Sequence, residues 1–185
     1  MSYTFSRRDF MKYTALAAAA VAVSGSLTGC SNPNRPVGTI GSTLKPGGGI
    51  CEATLLSGDS KPTYNLTDKK LVCNFKIKSL IAGLQVSKGH FQVDVTGGEH
   101  PGSYNVNTHP TGVAAATFEL TGGNDATTKN QILPNVALTV TGINLTGATN
   151  VAVRYCPKHS ADENGKDLYN DVYATWNITA NDLGL

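Results

Sequence analysis

The 185-residue sequence is short of charge: Lys and Arg total 15, Asp and Glu 13, and charged residues make up 15% of the chain. Binders of nucleic acid and of anionic membranes carry a marked excess of one sign, and a formal net charge of +2 gives neither much support. Four cysteines are few for a disulfide-stapled scaffold, and a chain of this length needs none, because one domain can bury a proper core. Past Ile50 no segment sustains a helical apolar stripe, although Ser79 to Gln85 has room for one turn, so a helical bundle is excluded. His90, His100 and His109 fall near turn residues, with no Ser, Asp or Glu at a recognisable catalytic spacing, and no enzymatic activity is expected.

What is present is most specific at the N-terminus. Ser6-Arg7-Arg8-Asp9-Phe10-Met11-Lys12 resembles the twin-arginine export motif, with Met11 in the place of the usual Leu. Tyr13 to Leu27 follows as an Ala- and Val-rich apolar stretch of signal-peptide length, too short to span a bilayer stably. It ends in Leu27-Thr28-Gly29-Cys30, which resembles the bacterial lipobox. These resemblances imply a signal peptide over 1–29, cut before Cys30, whose thiol carries a covalent diacylglycerol; a further acyl chain such as palmitate is added in some bacteria. At least two chains buried in lipid are enough for stable anchoring. The expected location is the cell membrane, lipid-anchored, on the extracytoplasmic side. Arg7, Arg8, Lys12 and Asp9 leave with the signal; taking three from the 15 basic and one from the 13 acidic residues leaves 12 of each, and the mature chain is neutral. No nucleic-acid partner is expected. Twin-arginine substrates cross the membrane folded, which suits a domain that loads a cofactor before export or folds too fast for threading.

Residues 30–49 are rich in Pro, Gly, Ser, Thr and Asn, including Gly47-Gly48-Gly49, and read as a flexible tether. The folded domain is then expected over 50–185. There the period is two. Leu71, Cys73, Phe75 and Ile77 alternate with mainly polar residues, as do Phe91, Val93 and Val95, and later Val136, Leu138 and Val140, then Val151, Val153 and Tyr155, then Val172, Ala174, Trp176 and Ile178. Turn residues such as Gly97-Gly98, Gly122-Gly123-Asn124-Asp125 and Asn164-Gly165 separate these runs. The pattern predicts an all-β domain, an antiparallel Greek-key β-sandwich of about seven or eight strands.

Two sandwich families resemble parts of this pattern. Leu138-Thr139-Val140 leading through Ile143 to Tyr155-Cys156 is similar to the E-to-F segment of immunoglobulin domains. That resemblance implies an immunoglobulin-like sandwich with Cys73 on strand B and a Cys73–Cys156 bridge between the sheets, although Tyr155 abuts Cys156 and the lone Trp176 lies on the last strand. Cys51 to either of the other two cysteines is the competing pairing, since three cysteines make one bridge with one left over.

The run Tyr155-Cys156-Pro157-Lys158-His159 resembles the copper loop of cupredoxins, with His109 as the upstream imidazole. This implies copper held by His109, Cys156 and His159. Both methionines, Met1 and Met11, leave with the signal, so Asn164, Gln131 or a backbone oxygen would take the axial position. A Cys73–Cys156 bridge and this copper site compete for one sulfur, and the bridge is favoured, with no metal. Asp162 to Asp167 is oxygen-rich but lacks the ligand spacing of a calcium loop, and a solvated hairpin tip accounts for it. The expected function is a membrane-anchored interaction module of the cell envelope. Its loops, such as 157–169, meet an envelope protein, a glycan or a small ligand. A copper electron-transfer protein, or an accessory component of an exported redox complex, is the alternative.

Overall fold

The computed structural model describes residues 32–47, 49–123, 125–158 and 172–185, with the backbone of 160–161 and 167–168. Thirteen strands occur among them: β1 (Val37–Thr39), β2 (Thr43–Leu44), β3 (Cys51–Leu55), β4 (Thr63–Asn65), β5 (Lys70–Ser79), β6 (Phe91–Gly97), β7 (Gly102–Tyr104), β8 (Thr117–Thr121), β9 (Ile132–Thr141), β10 (Ala148–Tyr155), β11 (Ser160–Ala161), β12 (Asp167–Leu168) and β13 (Ala174–Thr179). A single turn of helix, α1 (Ala180–Leu183), follows the last strand. One sheet has the order β1-β13-β10-β6-β7 and the other β2-β3-β5-β9-β8, with β4 also paired to β5; β11 and β12 pair with each other. Leaving out the short strands at the rims, β3-β5-β9-β8 lies against β13-β10-β6-β7. The two sheets make a β-sandwich.

Alternation decides which residues meet between the sheets. The inward set on β5 (Leu71, Cys73, Phe75, Ile77), on β6 (Phe91, Val93), on β9 (Val136, Leu138, Val140), on β10 (Val151, Val153, Tyr155) and on β13 (Ala174, Trp176, Ile178) is wholly shielded from solvent. An aromatic layer spans the middle: Phe75 packs on Phe91 at 5.4 Å and on Trp176 at 5.3 Å, and Phe91 packs on Tyr155 at 4.9 Å between ring centroids. The register shifts between Phe75 and Ile77, which face Val136 and Leu133. Pro134 sits in this irregularity, where a strand needs no N–H from it.

Asn side chains, not main-chain hairpins alone, shape two turns at the far end. Asn65 Oδ1 accepts the N–H groups of Thr67 and Asp68, and Asn144 Oδ1 accepts from the N–H and hydroxyl of Thr146. Tyr64 ties them together, since its hydroxyl donates to Ile143 O and accepts from Leu145 N–H.

Two expectations are corrected. Residues from Asn32 onward belong to the compact unit, so the domain does not begin at 50. The segment that reads as a tether supplies β1, paired in parallel with β13, and β2, paired with β3; Leu44 and Pro46 are buried. Its strands are two and three residues long, too short for alternation to register in sequence. The second correction concerns Cys73 and Cys156: Cys73 is a buried cysteine in no disulfide, so the Cys73–Cys156 bridge is not formed. Strand pleating gives the reason. Tyr155 takes the inward position at the end of β10, so Cys156, one residue on, is turned off the core face, and the Phe75, Phe91 and Tyr155 rings fill the space between.

Candidate functional site

Strands β3, β5, β6 and β10 bring three connections to one end of the sandwich. These are the turn between β2 and β3, the β5–β6 connection over 80–90, and the chain leaving β10. The β5–β6 connection is held at several points. Leu80 N–H donates to Ile50 O (2.9 Å), and Leu84 and Ala126 exchange both main-chain hydrogen bonds, at 3.0 and 2.8 Å. A tight turn at Lys88–His90 then leads into β6, with the Ser87 side chain accepting from the His90 N–H and the Ser87 N–H donating to His90 Nδ1 (3.4 Å). Cys156 N–H donates to His90 O (2.8 Å), joining β10's exit to the same turn. Gly47 closes the third side. It has φ +66°, and a Cβ there would stand 2.8 Å from Val172 Cγ1 and 2.9 Å from Ile50 Cδ1.

Between these connections lies a cleft of about 270 Å³. Ile50, Ile81, Leu84 and Pro157 form its apolar walls, and Gln85, His90 and Lys158 bring polar groups to it. The His90 side chain is almost buried, its ring 6.4 Å from that of Tyr155. Tyr155 is fully buried, and its hydroxyl has no hydrogen-bond partner among the described residues. Burial pushes the Tyr155 hydroxyl well above its ordinary titration range, and the neighbouring Cys51 and Cys156 thiols push it further. Burial, with a smaller effect from Glu52, likewise pushes the Cys51 thiol up to about 12, and Cys73 reaches about 12 through burial alone. These thiols are protonated at neutral pH and are poor nucleophiles.

A second polar group covers the outer face of the β6–β10 sheet. Asp94 Oδ1 accepts from Gln92 Nε2 (2.6 Å) and Ser103 Oγ (2.5 Å), while Oδ2 pairs with Arg154 Nε at 2.6 Å. The Arg154 and Arg35 guanidinium groups both lie over the Tyr173 ring, at 5.1 and 5.3 Å. This set fastens the chain ahead of β1 to the strand pair β10–β13.

The copper arrangement is not brought together by the described residues. His109 is exposed, and Pro110 beside it packs on Gly102, whose register partner is Val95. Cys156 follows Tyr155, whose partner is Phe91, so the two lie four strand residues apart, roughly 13 Å along the sheet, with β6 between them. Among the described residues no group of three or more His, Cys, Asp or Glu side chains is placed to hold a metal ion. Gln131 Oε1 is taken up with the Thr128 N–H in the turn before β9. His159, Asn164 and the 162–167 segment lie outside the described residues, as do Arg7, Arg8 and Cys30. Of the cleft residues, the sequence points to Pro157 and Lys158, within the 157–169 loop; His90 stands out there only as a histidine near a turn, and nothing marks Gln85. Those two follow no motif; both lie on the β5–β6 connection, and they meet Ile50 and Lys158 only through the fold.

Residues 4–24 match the family model of the twin-arginine translocation pathway signal sequence. The chain therefore carries a signal for export across the cytoplasmic membrane to its extracytoplasmic side. No curated protein and no solved structure matches the chain.

Proposed function

We propose that this exported chain is a lipoprotein of the cell envelope, anchored through diacylglycerol on Cys30, and that its sandwich is a non-enzymatic binding module. The cleft at the β5–β6 end is its contact site for an envelope protein, a glycan or a small ligand. One observation carries the binding reading. Chain connections from both sheets converge there on a concave surface whose apolar walls, Ile50, Ile81, Leu84 and Pro157, alternate with polar groups from Gln85, His90 and Lys158, the general form of a ligand or partner site. The Leu27-Thr28-Gly29-Cys30 run supports the anchor. A photo-crosslinking side chain in place of Gln85, in the full chain within intact cells, is expected to give discrete adducts. The same group in place of the far-end Leu66 is expected to give none, and equal yields at the two positions would contradict the assignment.

A further inference from the structure

The compact unit that holds the sandwich starts at Asn32, two residues after Cys30. Asn34 O accepts the Tyr173 N–H (2.9 Å) and Pro36 O accepts the Thr175 N–H (3.0 Å), so the chain is already part of the sheet edge at Asn34. Asn34 is four residue steps from Cys30, a reach of at most ~14 Å when fully extended. The entering chain runs alongside Tyr173 and the start of β13. Ala174 there pairs with Tyr155, which in turn pairs with Phe91, the first residue of β6. The anchor thus joins the domain at the end that carries the cleft. The opposite end, where Thr179 pairs with Asn150, lies about 17 Å farther along the strands. Ile81, an apolar side chain 39% exposed, projects from the cleft end beside the exposed Lys158. An apolar tip beside a long cationic chain suits the boundary between acyl chains and headgroups.

We propose that the end of the sandwich bearing Ile81 and Lys158 is an interaction surface for the lipid bilayer, so that the cleft opens at the membrane interface. The proposal rests on the reading of Cys30 as a lipid anchor. The short connection and the position of its entry into the sheet supply the constraint, and the bilayer is the occupant because no other surface is held within that reach.

The test uses full-length protein extracted from membranes and returned to vesicles of phosphatidylglycerol and phosphatidylethanolamine. A fluorophore is placed on Ile81→Cys or, as the comparison, Leu66→Cys; the buried Cys51, Cys73 and Cys156 do not compete for the label. Nitroxide-headgroup lipid is expected to quench position 81 several-fold more than position 66. A flexible insert of about twenty Gly and Ser residues after Ser31, able to span ~25 Å, is expected to erase the difference. Equal quenching without the insert overturns the proposal. So does shielding of position 81 that persists in detergent, which would point to a second copy of the chain. Failure of the protein to float with the vesicles removes the anchor itself, which separates that failure from a wrong orientation.

Discussion

Trp176, on the last long strand, donates its indole N–H to the carbonyl oxygen of Ser42 at 2.9 Å. The ring is wholly buried, and its acceptor lies 134 residues earlier, in a stretch whose Pro, Gly and Ser content reads as linker. The contact makes residues 32–49 part of the domain. A chain beginning at Ile50 leaves that N–H buried without an acceptor, a cost of about 1–3 kcal/mol, and exposes apolar surface that Leu44 covers, worth about 1.5–3 kcal/mol more. The sum is a large share of a typical domain's 5–15 kcal/mol. Urea unfolding should show the chain from Ile50 unfolded or strongly destabilised, and the chain from Asn32 stable.

Tyr64 makes a comparable contact at the far end, gripping both Ile143 and Leu145 through one hydroxyl. Tyr64→Phe keeps the ring and removes the grip, leaving two buried main-chain groups without their partner. The expected loss is about 1–3 kcal/mol in chemical unfolding, with unchanged far-ultraviolet circular dichroism.

The three thiols of the sandwich carry a prediction about both chemistry and pH. A thiol reagent should modify none of Cys51, Cys73 and Cys156 in the folded protein and all three after denaturation, read as mass shifts. In the unfolded chain the Cys51 and Cys73 thiols titrate near 9.0, whereas in the fold they reach about 12. The unfolded state therefore loses protons first as pH rises. The stability tied to the neutral thiols is complete below pH 9.0 and is lost between there and about 12. Alkaline unfolding should accordingly set in above pH 9.0, and later in a Cys73→Ala variant once its lower starting stability is subtracted. A disulfide-linked peptide pair containing Cys51 or Cys73 in non-reducing peptide mapping would contradict this thiol state.

Copper offers a separate check. With His109 across β6 from Cys156, Cu(II) added to the purified domain should not produce the intense visible band of thiolate-bound copper, and His109→Ala should change nothing in the spectrum. Such a band, lost in His109→Ala, would contradict the placement of these residues.

The long strands were legible in the sequence because burial on one face imposes period two: every inward residue expected on β5, β9 and β10 is buried. Tyr155 and Cys156 were a warning in plain view. Adjacent residues on a strand point to opposite faces, so the pair could not both serve the core. The short strands β1 and β2 were not legible, because two or three residues cannot show a period, and β1 is held by β13, a partner far along the chain. The cleft was hidden for a similar reason. Ile50, Gln85, His90 and Lys158 have no spacing relation and meet only when two sheets stack.

The anchor through Cys30 underlies both the cell-envelope reading and the membrane-facing cleft. Mass spectrometry of the N-terminal peptide from protein in isolated membranes tests it most directly. The expected result is a mature chain starting at Cys30 with a thioether-linked diacylglycerol on its sulfur, and a Cys30→Ser variant that no longer carries the lipid. A mature chain that starts elsewhere, or an unmodified Cys30 in protein that fractionates with the soluble material, would contradict it.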